Sequence, residues 1–382
     1  MNKRIESIDA VRGIASITVI NFHILASFLI FYKGNYDQEY DSLWIKFLVE
    51  SPFKLLWGGI GFLLFFVISG IVLTAMFDRR KVIYKDFLLK RFTRIYVPYF
   101  IFMSISIILL VMFQGYNDVT GMSPNYERRW DHYPSLLSIA SFLLLMNYDT
   151  ANVNGVVWTL YHELRIAFVF PIIAFIVLKL KWIKSIFIAL LFSFGTMTIL
   201  FILAYFIGDN ILGDVVNNFG DTFFYTYFTF IGAFLYKYKE VYKAYIIEWS
   251  NFTKIIITLI GLMLIANKWM YNFVDISDFR LQDIISGIGI LILMMLILSS
   301  DKIESAATHG LFKFLGRISF SLYLTHIPVI MLCTTLLSSH IGLINSFVVA
   351  YILIFPISYL LHKTIEMPSS KAADSLVKRL KE

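Results

Sequence analysis

The stretch WGGIGFLLFFVISGIVLTAMF, residues 57–77, contains no charged side chain. As an α-helix it would extend about 30 Å, which matches the hydrocarbon thickness of a lipid bilayer. Similar apolar runs recur along all 382 residues of a chain that is 58% hydrophobic and only 15% charged. Their lengths fit crossing helices rather than the strands of about ten residues found in membrane barrels. The sequence therefore predicts an all-α integral membrane protein.

Ten apolar runs are long enough to cross the membrane, at residues 14–32, 57–77, 95–113, 156–178, 185–207, 221–236, 253–269, 283–300, 319–337 and 343–361. A shorter run, residues 136–147, is predicted to form a re-entrant or interfacial helix on the outer side. With this assignment, most of the 33 Lys and Arg residues lie on one side of the membrane. The positive-inside rule then predicts that both termini are cytoplasmic.

The chain is interpreted as one membrane domain, residues 1–368, followed by a basic cytoplasmic tail, residues 369–382. The first apolar run is too long for the core of a cleavable signal peptide, so it is read as the first span. The single cysteine, Cys333, excludes an intramolecular disulfide and argues against a cysteine metal site. The net charge of +7 reflects the uneven loops and attraction to anionic lipid, and no nucleic-acid module is recognisable. A multi-pass protein of the inner (cytoplasmic) membrane is predicted.

Several titratable residues occur within the predicted spans, where such groups usually face a protein-lined cavity. Arg12 and His23 are eleven positions apart, so on one helix they share a face about 16 Å from each other. His23 and His326 each lie well inside an apolar run, near mid-membrane. A membrane histidine can equally be a packing or hydrogen-bonding residue, and both readings stay open.

The span 156–178 adds three such groups, His162, Glu163 and Arg165. Glu163 and Arg165 could neutralise one another as a structural pair. Residues two positions apart on a helix do not face each other, however. Different partners are therefore expected for these two side chains.

The loop DRRKVIYKDFLLKRFTR, residues 78–94, is the most basic segment. Arg91 and Arg94 are three positions apart and are predicted to share a helix face at the cytoplasmic end of the third span. Guanidinium groups bind phosphate oxygens bidentately and keep their charge. The pair is therefore a candidate site for phosphate groups.

Six motifs in order resemble the family 3 membrane acyltransferases: RIESIDAVRGIASITVINFH at 4–23, FFVISG at 65–70, RFTRIYVP at 91–98, WTLYHE at 158–163, LGRISFSLYLTHIPV at 315–329 and IEMP at 365–368. Each motif is weak alone, but the ordered set extends over nearly the whole chain. The resemblance implies transfer of an acyl group, usually acetyl, from acyl-coenzyme A (acyl-CoA) to a hydroxyl of an extracytoplasmic glycan. No metal is implied.

The resemblance also implies roles for particular residues. Arg12, Arg91 and Arg94 would bind the nucleotide phosphates of the donor. His23 would either deprotonate the acceptor hydroxyl or accept the acyl group covalently. Glu163 would orient that imidazole or position the acceptor.

Other residues are expected to bind the acceptor or to serve packing. Trp158, His162 and His326 are candidates for lining the acceptor path, whereas Gly70 and Gly316 are interpreted as close-packing or turn positions rather than catalytic groups. Many relatives have a small or apolar residue followed by glutamates or glutamines where this chain reads YHELR. The acceptor, or the acyl group, could therefore differ from that of those relatives.

Two other functional classes share some of these sequence features. A proton-coupled transporter or flippase of a lipid-linked or small polar substrate would also use intramembrane His, Glu and Arg, but the paired broken helices of such carriers are not evident. A catalytically idle protein that retains the donor site is the second alternative. Many relatives carry a further extracytoplasmic domain, so here transfer is expected either directly to a lipid-linked sugar or through a separate partner.

Overall fold

The computed structural model describes residues 6–34, 40–58, 60–79, 81–114, 122–267, 270 and 278–379. Five of the motif, span, loop and tail predictions extend beyond these residues, at the start of the N-terminal motif, position 59 of the run 57–77, position 80 of the basic loop, the end of the run 253–269 and the last residues of the tail. Within the described ranges the chain forms helices and no β-strand.

The first eight α-helices are α1 (Glu6–Leu25), α2 (Leu29–Tyr32), α3 (Leu43–Glu50), α4 (Gly61–Arg79), α5 (Tyr84–Phe113), α6 (Pro124–Glu127), α7 (Leu136–Leu143) and α8 (Thr150–Asn154). The remaining ones are α9 (Trp158–Lys179), α10 (Trp182–Leu190), α11 (Thr196–Ile207), α12 (Ile211–Lys237), α13 (Lys239–Glu248), α14 (Asn251–Ile265), α15 (Phe279–Ser299), α16 (Asp301–Ala307), α17 (Gly310–Ile341), α18 (Leu343–Leu361) and α19 (Met367–Arg379). A 3₁₀ turn covers Pro52–Leu56, and π-helical turns join α10 to α11 and α18 to α19.

Eight helices among the described residues are long and apolar enough to cross a bilayer: Glu6–Leu25, Gly61–Arg79, Tyr84–Phe113, Trp158–Lys179, Trp182–Ile207, Phe279–Ser299, Gly310–Ile341 and Leu343–Arg379. The prediction of an all-α membrane protein is therefore confirmed. The predicted spans 221–236 and 253–269 fall in α12 and α14, which are not among the eight. The count of ten spans and the cytoplasmic location of the termini remain predictions.

In the ambiguous run 136–147, only the eight residues of α7, Leu136–Leu143, are helical. Such a helix is about 12 Å long, which is too short to cross a bilayer. Leu145, just beyond its end, has a left-handed backbone with φ of 57°. This length agrees with a segment that does not cross, and its position in the membrane remains a prediction.

The chain divides into two compact units. Unit 1 comprises Met1–Ala75 and Phe228–Ser319, and unit 2 comprises Met76–Tyr227 and Phe320–Glu382. Each unit is therefore assembled from two separate parts of the sequence.

In unit 1, the start of α1 is fixed by α16. The carboxylate of Glu304 accepts hydrogen bonds from the backbone N–H groups of Glu6 (2.9 Å) and Ser7 (3.1 Å). Burial raises the pKa of Glu304, but these hydrogen bonds outweigh it, and the pKa lies below its ordinary value. A carboxylate at this position also suits the positive end of the helix dipole. The N-terminal end of α1 is thereby held at a defined position.

Two glycines named in the motifs are close-packing positions, as predicted. A Cβ at Gly70 of α4 would collide with the carbonyl oxygen of Thr229 in α12, and a Cβ at Gly316 of α17 would collide with that of Asp9 in α1. The absence of a side chain lets these helix backbones approach closely. Both contacts lie within unit 1.

We expect Gly70→Ala to lower the melting temperature of the purified protein, because overpacking of this kind costs about 1–3 kcal/mol. Gly310→Ala is the matched control, since a Cβ at Gly310 meets no atom within 4 Å. Thermal unfolding in detergent measures both. Equal melting temperatures for the two variants would contradict the packing role of Gly70.

In unit 2, α5 packs against α9 and against the last described helix, α19. Ser369, Ala373 and Val377 form the buried face of α19. Lys90 of α5 donates to Asp374 of α19 over 2.6 Å. The segment predicted to be a tail therefore continues as a packed helix as far as Arg379, and its cytoplasmic location remains a prediction.

Candidate active site

His23 and Arg12 lie on the same helix, α1 of unit 1, as their spacing predicts. Both side chains are partly exposed. The depth of His23 in the membrane remains a prediction, but its place within the helix is defined. The apolar run begins at residue 14, whereas α1 begins at Glu6, so His23 lies in the last turn of the helix and not halfway along it. The backbone carbonyl of His23 accepts from the Ser27 hydroxyl at 2.6 Å, which closes this end of α1.

An ion pair between Arg91 and Glu163 is the central charged contact of unit 2. Arg91 Nη2 donates to Glu163 Oε1, which links α5 to α9. The two side chains are only 16% and 24% exposed, so solvent screens this pair less than a surface pair. Arg94, one turn further along α5, is exposed and lies within electrostatic reach of both partners. The structure therefore brings Arg91, Arg94 and Glu163 together.

The prediction that Glu163 and Arg165 have different partners is confirmed. Arg165 Nη1 donates to Asn218 Oδ1 (2.6 Å), and its Nη2 donates to the Leu145 carbonyl (2.7 Å). The guanidinium also stacks on the ring of Phe219, 4.2 Å from its centroid. Arg165 thus fixes α9 to α12 and to the turn after α7. These contacts give Arg165 a positioning role between α9, α12 and that turn.

His162 lies on the same side of α9 as Arg165 and is 1% exposed. Its Nδ1 is 2.9 Å from the hydroxyl of Thr222 on α12. The imidazole also packs against the rings of Trp158 and Tyr225, with centroid separations of 5.5 Å and 5.0 Å. Trp158 and His162 are therefore neighbours in an aromatic cluster. A role in lining an acceptor path stays a prediction for both.

His326 lies near the middle of α17 and is fully buried. Its Nδ1 is 3.1 Å from the carbonyl oxygen of Leu322, an acceptor that selects the tautomer with the proton on Nδ1. The Tyr323 hydroxyl of the same helix lies 2.8 Å from Thr159 Oγ1 and donates to the Val156 carbonyl at 3.0 Å. These bonds attach α17 to the start of α9, close to the helix turn that carries Glu163.

Sequence reasoning missed three polar residues around His326. Tyr323 is one, and the others are Arg129 and Asn154. Arg129 is 5% exposed and acts electrostatically on His326. Asn154 Nδ2 donates to the Leu324 carbonyl at 3.1 Å, while its buried Oδ1 accepts no hydrogen bond from the described residues. Arg129 and Asn154 lie outside the six motifs. Tyr323 lies within the motif at 315–329, but nothing local distinguishes it there, because its hydrogen-bond partners lie in a segment remote in sequence.

A metal site in a protein usually needs a group of three or more neighbouring His, Cys, Asp or Glu side chains. Within the part of the chain that the structure describes, no such group occurs. The polar residues of both units instead form hydrogen bonds and ion pairs of the kinds described above.

Comparison with known proteins identifies the family. A family model described as an acyltransferase domain matches residues 5–363. Because the match covers nearly the whole chain, the protein belongs to acyltransferase family 3. It is accordingly an acyltransferase of a multi-pass membrane family, as the six motifs predict. No match was found among curated proteins or among solved structures.

Proposed function

We propose that the protein transfers an acyl group, most simply acetyl, from cytoplasmic acyl-CoA to a hydroxyl of an extracytoplasmic or lipid-linked glycan. The observation that carries the donor part is the arginine pair on α5. Arg91 is committed to Glu163, whereas Arg94 is an exposed residue one turn away on the same helix, with no ion pair of its own among the described residues. An arginine that is held near a carboxylate but remains accessible suits recognition of a phosphate group.

The two arginines would then act differently. Glu163 orients the Arg91 side chain, so Arg91 stabilises the site and adds positive potential. Arg94 makes the direct contact with the phosphates of the donor. Arg12, on α1, supplies a third positive charge at the predicted cytoplasmic end of that helix.

His23 is the proposed proton acceptor, because an imidazole exchanges protons near neutral pH. It takes the proton of the acceptor hydroxyl while the oxygen attacks the thioester carbonyl carbon. The C–S bond then breaks, and the CoA thiolate receives the proton. In the alternative covalent route, an imidazole nitrogen attacks the thioester carbonyl carbon, the C–S bond breaks and the CoA thiolate leaves with the imidazole proton. The acceptor hydroxyl oxygen then attacks the acyl carbon, the N–C bond breaks and the hydroxyl proton returns to the imidazole.

We expect Arg94→Ala to weaken acetyl-CoA binding by about tenfold or more, since a charge-assisted contact contributes roughly 1.5–3 kcal/mol. Binding is measured on the full chain in nanodiscs by titration with acetyl-CoA. Lys85→Ala, an exposed cation earlier on the same helix, is the matched control and should leave the affinity unchanged. Equal losses in both variants would indicate non-specific charge attraction and contradict a phosphate contact at Arg94.

The acceptor and the acyl group are tested in the host. Surface polysaccharide from cells with and without this chain is compared by mass spectrometry. Loss of an acetyl mass increment in cells lacking the chain supports the proposal, and a different increment identifies another acyl donor. Identical polysaccharide in both strains contradicts a glycan acceptor.

A further inference from the structure

Unit 1 contains a polar pocket with no role in the proposal above. It lies between the end of α14, the start of α15 and the 3₁₀ turn Pro52–Leu56, and its volume is about 70 Å³. A single water needs about 10–15 Å³ by this measure, so the pocket admits a few water-sized groups but not a whole sugar ring. Its polar lining residues are Lys54, Asn267, Gln282, Asp283 and Ser286. We call it the α14–α15 pocket.

Asn267 supplies a hydrogen-bond acceptor to this pocket. The residue is 3% exposed, and its Nδ2 donates to the Gln282 carbonyl (2.7 Å) and to Ser286 Oγ (2.9 Å). Both amide protons are thereby used within the protein. The Oδ1 atom accepts no hydrogen bond from any residue that the structure describes. The Oδ1 atom itself is not fully buried, so from the pocket it can accept a hydrogen bond from a ligand hydroxyl or from water.

Asp283 supplies a second acceptor. Its side chain is only partly exposed, and no described residue donates a hydrogen bond to its carboxylate. Lys54 and Arg280 act on it electrostatically from nearby. The pocket therefore combines carboxylate and amide oxygens with a lysine ammonium among its lining groups.

This mixture favours hydroxyl groups over ions. Lys54 and Arg280 repel a metal cation, and Asp283 repels an anion. A hydroxyl donates to Asp283 or Asn267 and can also accept from Lys54. Phe62 also lines the pocket and adds apolar surface, which suits the C–H groups of a sugar.

The pocket is tied to the helix turn that carries His23. Asn21 of α1 donates from Nδ2 to the Leu56 carbonyl at 2.7 Å, and the preceding residue, Leu55, lines the pocket. Asn21 and His23 lie in the same turn of α1. A ligand in the pocket would thus contact the 3₁₀ turn Pro52–Leu56, which is hydrogen-bonded to the turn of α1 that carries His23.

We propose that the α14–α15 pocket is an acceptor subsite that binds hydroxyl groups at one edge of a sugar. This inference rests on the proposed glycan acceptor. It assigns Asp283, Asn267 and Lys54 to acceptor recognition, whereas the chemical step is left to His23.

The test measures sugar binding to the full chain in nanodiscs, without any acyl donor. The probes are the methyl glycosides of glucose, galactose, mannose and N-acetylglucosamine, detected by saturation-transfer NMR. Asp283→Asn preserves side-chain volume, and Lys54→Met preserves most of the aliphatic stem, so at least one of the two should fold. Asp209→Asn removes an exposed carboxylate of a predicted outer loop and is the matched control.

We expect at least one glycoside to bind, with affinity reduced about tenfold in both pocket variants and unchanged in Asp209→Asn. Equal affinities in all variants, or no binding of any glycoside, would overturn the inference. Binding that requires sodium chloride and fails in choline chloride would replace the sugar subsite with a cation site.

A second readout separates this inference from the proposed function. In acyl transfer, the pocket variants should raise the acceptor KM about tenfold with little change in kcat. Normal transfer with an unchanged acceptor KM would refute the pocket and leave the proposed function standing. The pocket variants can also weaken sugar binding in a protein that transfers no acyl group from any acyl-CoA. That result would refute the proposed activity but support sugar binding in the α14–α15 pocket.

Discussion

His23→Ala is expected to lower kcat for acyl transfer by about 10²–10⁴-fold, the range that general base catalysis contributes, while acetyl-CoA affinity is unchanged. The reason is that the imidazole acts on the hydroxyl proton and makes no phosphate contact in the proposed mechanism. Donor titration and single-turnover transfer on the same nanodisc sample measure the two quantities separately. His340→Ala, an exposed histidine at the end of α17, is the matched control.

Trapping experiments on the unsubstituted protein distinguish the two chemical routes. If His23 accepts the acyl group, acid quenching during turnover should trap a modified peptide containing residue 23, with a mass increased by the acyl group. If it acts only as a base, no modified peptide forms although transfer proceeds. Full turnover by His23→Ala would remove the residue from both routes.

Hydropathy predicted the helices of this fold better than it predicted their ends. The apolar run of the first span begins at residue 14, but α1 begins at Glu6; the third run begins at residue 95, but α5 begins at Tyr84. A helix continues wherever its backbone hydrogen bonds continue, whether or not its side chains are apolar. This difference is what moves His23 from the middle of its element to the last turn.

The candidate site was predictable where it depended on local spacing. The i,i+2 relation of Glu163 and Arg165 correctly predicted separate partners, and the i,i+3 relation placed Arg91 and Arg94 one turn apart. The identity of the partners was not predictable. Glu163 meets a residue 72 positions away, and Tyr323 meets one 164 positions away. One sequence alone carries no information on such pairings, since many helix packings satisfy the same apolar pattern.

The Arg91–Glu163 pair leads to the second large expected effect. Glu163→Ala should lower the free energy of unfolding by about 3–5 kcal/mol, because Arg91 loses the carboxylate that balances its charge in a largely buried position. Arg91→Met combined with Glu163→Leu should recover most of this loss, since neither charge then remains. Cys333, the single cysteine, is 6% exposed, so its labelling by a thiol-reactive fluorophore reports thermal unfolding directly.

Lys90→Ala is the matched control for this experiment. It breaks the exposed pair between Lys90 and Asp374, whose side chains are 46% and 70% exposed, and such pairs contribute at most about 1 kcal/mol. A double variant as unstable as Glu163→Ala would show that charge balance is not the function of the pair. The double variant can also be stable but bind acetyl-CoA weakly and transfer no acyl group. That result would show that the Arg91–Glu163 pair is needed for the reaction as well as for stability.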